Sequence, residues 1–345
     1  VHHKKIKFAV VGFGHIGRRH AAIIQEHAEC TLVALCDVRP KGVLTDIDIY
    51  QVPFYNNIAQ LLEQQADAEV ICICTPNGLH AGQALQALDA KRHVVIEKPM
   101  ALRRADCERV IHRALNVGRQ VFCVMQNRYS PPVRWLKETV TAGRLGEIRL
   151  LQLNCFWNRD DRYYLPGGQR HEWHGTLALD GGTLYTQFAH FVDILYWVFG
   201  DIEVLDVRLD NFAHRHNTEF EDSGAAHFRL REGGGLGSLL FSTAVWDRNF
   251  ESTITVVGSR GTVKIGGQYM DKIEYCYADE LRLPSLPTTN APNTYSGYQG
   301  SAANHHFVFQ NVVDALHGKQ EVTTNAMEGM KVVELIERVY EVGRS

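Results

Sequence analysis

Residues Val10-Val11-Gly12-Phe13-Gly14-His15-Ile16-Gly17 place a G-x-G-x-x-G between an apolar run, Ile6 to Val11, and an amphipathic stretch from about His15 to His27. A strand that turns sharply into a helix at such glycines opens a parallel βαβ unit that binds a dinucleotide. Gly12 permits the tight turn, Gly14 lets a pyrophosphate approach the backbone, and Gly17 lets helix and strand pack closely. The first helical N–H groups, in the turn that carries Phe13, His15 and Ile16, then face the anion. Twenty residues after Gly17, Asp37 ends the next apolar run, where a carboxylate accepts hydrogen bonds from adenosine ribose hydroxyls. Its charge repels a 2′-phosphate, so NAD is preferred to NADP, and Arg39 weakens that preference slightly.

The same alternation continues. Strands are expected at Thr31 to Cys36, Val70 to Cys74, His93 to Glu97 and Gln120 to Met125, with helices near Ile58 to Gln65, Gly78 to Ala90 and Ala105 to Val117. This order describes a dinucleotide-binding module of six strands over residues 1–127, five of them placed here and the segment between Cys36 and Ile58 read as a truncated link. After Ser130-Pro131-Pro132 and one helix the texture becomes β-rich, with runs at Ile148 to Trp157, Ile202 to Asn211, Gly224 to Leu230, Gly237 to Trp246, Ser252 to Val257 and Thr262 to Ile265. Tight turns such as Glu232-Gly-Gly-Gly235 are too short for helical crossovers, so these strands are expected to pair antiparallel. Helices are expected at Leu184 to Phe199, Asn304 to His317 and Met327 to Tyr340. The expected fold class is therefore α/β: an N-terminal Rossmann dinucleotide-binding domain, then, over 128–345, a C-terminal α/β domain with a large open, mostly antiparallel sheet, which the resemblance described below makes the substrate-binding and oligomerisation domain. The stretch Leu281 to Ala303, with three prolines, reads as an interface or a substrate lid.

Composition removes other classes. With 36 basic and 39 acidic residues the net charge is -3, without the basic footprint of a general nucleic-acid binder. No apolar run reaches the ~18 residues of a membrane span. The eight cysteines sit in apolar segments rather than at framework spacings, which favours a reduced, cytoplasmic setting. Cys72 and Cys74 share one strand face and read as core. No metal site is expected, because no second C-x-C or His pair completes a zinc set.

Two further segments lie at the carboxyl edge of the sheet, where open α/β folds bind ligands: Thr75-Pro76-Asn77 after one strand and Glu97-Lys98-Pro99 after the next. With Gly12 to Gly17, His80 and the run Asp180-Gly-Gly-Thr-Leu-Tyr-Thr-Gln-Phe-Ala-His190-Phe-Val-Asp193, they make the chain resemble the Gfo/Idh/MocA family of nicotinamide-dependent oxidoreductases over nearly its whole length. The resemblance implies a dehydrogenase acting on CH-OH groups, with Lys98 on the reacting hydroxyl and His190 as general acid/base. It extends the cofactor-binding set to Thr75, Pro76, Asn77, His80, Glu97, Lys98 and Gln126. Thr186, His190 and Asp193 share one helical face by spacing. Many family members carry Asp where this chain has Thr186, so the group that orients His190 is open, with Thr186 counted among the catalytic residues.

Gln126-Asn127-Arg128, Asn154-Cys-Phe-Trp157 with Arg159, Tyr163-Tyr164, Trp173-His-Gly-Thr176 and Gln187 resemble the WlbA-type UDP-N-acetylglucosaminuronate 3-dehydrogenase branch. That branch also lacks the Asp. Arg159, Tyr163, Tyr164, Arg170, Trp173 and Gln187 are the candidate substrate contacts, cations for a diphosphate and flat faces for uracil or pyranose. His174 stands where an Arg is expected, which leaves UDP-N-acetylglucosamine as an alternative to the uronate. The implied reaction is NAD-dependent oxidation of the C3 hydroxyl to a ketone in bacterial cell-surface polysaccharide biosynthesis, with a pyridoxal-phosphate aminotransferase as pathway partner and a homodimer or homotetramer as the working unit. The competing readings are a dehydrogenase of a free cyclitol or monosaccharide, and a non-catalytic NAD-binding regulator.

Overall fold

The computed structural model describes residues 4–278, 283–295 and 298–344. The chain forms two compact units, residues 1–125 with 305–333, and residues 126–304 with 334–345. The division expected after residue 127 treats the second domain as one uninterrupted run. The chain instead returns to the first unit at His305.

The first unit holds six parallel strands, β1 (Ile6–Val11), β2 (Cys30–Cys36), β3 (Phe54–Tyr55), β4 (Val70–Ile73), β5 (His93–Ile96) and β6 (Val121–Cys123), in the order β3-β2-β1-β4-β5-β6. Four helices link them: α1 (His15–Glu26), α2 (Ile58–Gln64), α3 (His80–Asp89) and α4 (Arg104–Val117). Every residue of β4 is buried, as is the apolar stretch of β5, as expected of central strands covered on both faces. The sixth strand lay hidden in the sequence because β3 is two residues long and follows two single-turn 3-10 helices.

The second unit begins with α5 (Pro131–Thr141), β7 (Ile148–Phe156), the short α6 (Asp161–Tyr164), and α7 (Ala189–Phe199), preceded by a π-helical turn, Leu184–Phe188. It continues with β8 (Ile202–Asp210), β9 (Ser223–Leu230), β10 (Leu236–Ser242), β11 (Glu251–Gly258), β12 (Gly261–Gly266), β13 (Lys272–Ala278) and a hairpin of β14 (Pro292–Tyr295) and β15 (Tyr298–Ala302). The helices α8 (His305–Leu316) and α9 (Ala326–Arg344) close the chain. The large sheet runs β13-β12-β11-β7-β10-β9-β8. One junction departs from the antiparallel expectation: β7 pairs with β10 in parallel and with β11 antiparallel. Turn length dictates direction only for strands adjacent in the chain, and β7 inserts between two strands far from it in sequence.

Period-2 alternation buries Leu151, Leu153 and Cys155 of β7, Leu239 and Phe241 of β10, and Ile254 and Val256 of β11 on one face. Phe188 and Phe191 pack edge-on to Trp157 with ring centroids 5.4 and 5.6 Å away, so this face carries the helix that bears His190. The stretch expected as a loop at 281–303 contains the β14–β15 hairpin, and its residues 281–282 and 296–297 lie outside the described residues.

Candidate functional site

In the first unit the glycine turn has three distinct reasons for glycine. Gly12 has φ +90°, and a methyl there would meet the Cys74 carbonyl oxygen at 2.6 Å. A methyl on Gly17 would lie 1.8 Å from the Gly12 carbonyl oxygen, so helix and turn touch through bare backbone. Gly14 differs: a Cβ there meets nothing within 4 Å, and no side chain caps α1 at that position. The protein itself does not need glycine at 14, whereas a pyrophosphate seated on the uncapped helix end does. The turn therefore fits NAD.

Asp37, at the end of β2, is buried, and its Oδ2 accepts from the Phe13 N–H at 2.7 Å. Arg39 clamps the same carboxylate through Nε to Oδ1 and Nη2 to Oδ2, each at 2.9 Å. Burial opposes the charge, but these hydrogen bonds and the guanidinium hold the Asp37 pKa below its ordinary value. Thr75 and Asn77 stand on the turn after β4, and the exposed His15 opens α1. His80 ties two edge segments together, with Nε2 2.8 Å from the Thr75 carbonyl and Nδ1 2.7 Å from the Pro99 carbonyl. Burial lowers its pKa against the two carbonyls, which favour imidazolium, and His80 serves as a strut between the two edge segments.

Glu97 ends β5 as a buried carboxylate, with Oε2 3.2 Å from the Lys98 N–H and Oε1 2.8 Å from His20 Nε2. Burial raises its pKa and the His20 hydrogen bond overrides that, bringing it to about 2. Lys98 itself is half-buried.

In the second unit His190 is 4% exposed, on the first turn of α7. Gln126, expected at the cofactor, places its Nε2 3.2 Å from His190 Nε2 and 3.1 Å from Ser301 Oγ of β15. An amide N–H₂ can only donate, so His190 Nε2 accepts and its lone pair is on that nitrogen. The turn before it, Leu184–Phe188, is π-helical, and the amides at its start are satisfied from outside the helix: Thr183 N–H by Glu221 Oε1 at 3.1 Å and Leu184 N–H by Tyr340 Oη at 2.9 Å.

That π turn corrects the expectation of one continuous α-helical face. Thr186 hydrogen-bonds the Asp180 carboxylate, which is 1% exposed and also accepts from the Gly175 N–H at 2.7 Å. Asp193 forms a bidentate pair with Arg128, 2.8 and 2.6 Å, both side chains 1% exposed. Spacing along a helix could not show either partner. Asp180 lies within the run that signals the family, and its tie to Thr186 is visible only in the folded chain.

Arg159 is buried, with Nε 2.7 Å from Gln187 Oε1, Nη1 2.6 Å from the Asn158 carbonyl, and Nη2 3.0 Å from the Gln299 carbonyl. Trp157, Tyr163 and Tyr298 ring its guanidinium at 4.9, 5.4 and 5.0 Å. Among the described residues it has no carboxylate partner, and burial lowers its pKa. Gln187 Nε2 in turn donates to Tyr163 Oη at 3.1 Å, and Tyr164 packs beside Tyr163. The structure thus joins Arg159, Tyr163, Tyr164 and Gln187 in one buried lattice. Half-buried Trp173 reaches it through His174, which stacks on Tyr163 at 4.1 Å. Arg170 stands apart at the surface, 3.7 Å from Glu219. A cleft of about 310 Å³ lies against the same lattice, lined by Arg162, Arg248, Asn249, Tyr295, Tyr298 and Gln299 among others.

Residues 6–124 match the Gfo/Idh/MocA oxidoreductase family, described by its NAD-binding Rossmann fold, and residues 133–264 match that family's C-terminal domain. The chain is similar to the WlbA dehydrogenase of Bordetella pertussis, solved in complex with NADH and UDP-GlcNAcA, at 30% identity and TM-score 0.86 over 99% of this chain and 97% of that one. The WlbA dehydrogenase of Chromobacterium violaceum, in complex with the same two ligands, is 29% identical with TM-score 0.87 over 100% and 95% of the respective chains. Inositol 2-dehydrogenase of Salmonella typhimurium is 26% identical over 57% of this chain and 55% of that protein. The chain thus matches just over half the length of such curated relatives. Among the described residues no helix is long and apolar enough to cross a membrane.

Proposed function

The chain belongs to the Gfo/Idh/MocA family of NAD-dependent oxidoreductases, and on that premise we propose that it oxidises the C3 hydroxyl of a UDP-N-acetylated sugar, the uronate first, to the 3-keto sugar. The observation that carries the reading is the Gln126 amide on His190 Nε2, which keeps a buried imidazole in its proton-accepting form. His190 takes the hydroxyl proton, exchanging its bond to Gln126 for one to the substrate. Lys98 donates to the same oxygen and stabilises the negative charge that develops there. Gly12, Gly14, the N-terminal turn of α1 and Asp37 hold NAD, which when bound supplies the hydride acceptor. Asp180 holds Thr186, and Arg128 holds Asp193, so the helix carrying His190 is fixed on both sides of it.

Support for a nucleotide sugar comes from the two WlbA dehydrogenases and from Arg159, which has no carboxylate partner among the described residues, beside a cleft lined by Arg248, two tyrosines and an Arg162 already paired with Asp160 and Asp247. A diphosphate or carboxylate suits that electrostatics better than a neutral cyclitol. The inositol dehydrogenase relatives favour the second reading, a free cyclitol as substrate. A 3-keto product is a substrate for a pyridoxal-phosphate aminotransferase, the expected pathway partner. The reading is tested by following NADH absorbance with UDP-N-acetylglucosaminuronate, UDP-N-acetylglucosamine and myo-inositol in parallel. Turnover confined to the UDP-sugars supports it, and turnover confined to inositol replaces it with the second reading.

A further inference from the structure

We propose that His20, Glu97 and His305 form a binding site for one divalent transition-metal ion of the zinc class inside the first unit. The inference is independent of the sugar substrate. The three side chains come from α1, the end of β5 and the first residue of α8, and their ligand atoms all lie within 4.8 Å of one another. Each is buried: His20 is 0%, Glu97 6% and His305 1% exposed.

His305 is the observation that points to a ligand. Neither of its ring nitrogens has a hydrogen-bond partner among the described residues, while its Nε2 lies 3.8 Å from Glu97 Oε1. A buried imidazole bonded to nothing loses the full desolvation cost of its polar atoms, so such a group calls for an ion or solvent partner. The rest of the cluster is arranged as ligands are. Cys74 Sγ lies 3.3 Å from His20 Nδ1 and fixes the ring so that Nε2 faces Glu97. Such outer contacts set the tautomer of a metal-bound histidine. Glu97 spends Oε2 on the Lys98 amide at 3.2 Å, leaving Oε1 for the cluster. Two imidazoles and one carboxylate are a ligand set used for Zn²⁺, with room for a further donor. On binding, His20 Nε2 exchanges its hydrogen bond to Glu97 for the cation, and the ring proton is carried on Nδ1 against Cys74 Sγ.

The consequence is a cross-link from α1 and α8 to the strand end that leads into Lys98. The test uses the full-length protein, stripped with a chelator and titrated with Co²⁺, whose visible absorption reports bound metal. The expected result is one saturable equivalent, displaced by Zn²⁺ and accompanied by a rise in Tm. The absorption is lost in His305→Leu, while NAD still raises the Tm of that variant. If His305→Leu does not fold, His20→Asn is read the same way. Absence of saturable binding to the unmodified protein, or one equivalent retained in the folded variant, overturns the site.

Discussion

The amide nitrogen of Gln126 lies 3.2 Å from Nε2 of His190, and the same nitrogen reaches Ser301 Oγ at 3.1 Å. A donor aimed at Nε2 holds the ring with that nitrogen as acceptor. In Gln126→Leu the imidazole loses this partner, so kcat falls in a protein whose Tm stays near that of the parent. An unchanged kcat in a folded Gln126→Leu protein means that this contact does not position the base.

The glycines of the first turn separate folding from binding. Gly17→Ala drives a methyl to within 1.8 Å of the Gly12 carbonyl oxygen, so the expected outcome is a large loss of Tm or no folded protein. Gly14→Ala meets no protein atom within 4 Å, so its Tm stays near that of the parent while NAD affinity falls, roughly tenfold or more for a loss of ~1.4 kcal/mol. Isothermal titration with NAD distinguishes the two, and an unchanged Kd in Gly14→Ala contradicts the cradle.

Thr186 meets a buried carboxylate, Asp180, whose other oxygen accepts from the Gly175 amide. Thr186→Val leaves that carboxylate one donor short, a cost of about 1–3 kcal/mol in chemical denaturation. Thr186→Asp, which restores the residue common in the family, sets two carboxylates together and is expected to be less stable at pH 8 than at pH 5, where one of them can hold a proton. Equal stability at the two pH values shows that the new side chain turns away from Asp180.

The face of the large sheet opposite α7 exposes a row across paired strands, Tyr277, Thr262, Val257, Leu150 and Leu236, with Tyr277 72%, Leu150 47% and Leu236 45% exposed. This row, apolar but for Thr262, is the expected contact surface, with a second copy of the chain as its occupant. Sedimentation should report a dimer or tetramer at micromolar concentration, shifted toward monomer by Leu150→Lys. A monomeric parent protein contradicts this.

Much of this architecture was legible in the residues because it rests on local rules. The glycine turn, the alternation of apolar runs with amphipathic stretches, and Asp37 at a strand end all follow from short-range spacing. What escaped depends on partners distant in the chain. The parallel β7–β10 junction joins strands some eighty residues apart. The amides at the start of the π turn before His190, those of Leu184 and Thr183, find their acceptors on Tyr340 and Glu221. Likewise Arg159 reads as a cation presented to substrate, whereas three of its contacts are to protein oxygens that only folding brings near it: Gln187, Asn249 and Gln299.

The central claim is that His190 and Lys98 serve the oxidation of one sugar hydroxyl, and isotope transfer tests it most directly. UDP-N-acetylglucosaminuronate carrying deuterium at C3 is incubated with the enzyme and NAD, and the reduced nucleotide is analysed by mass spectrometry. The expected result is one deuterium in the NADH from the parent protein, and none from Lys98→Ala or His190→Ala proteins that still bind NAD. Unlabelled NADH, or labelled NADH formed at parental rates by either variant, contradicts the claim.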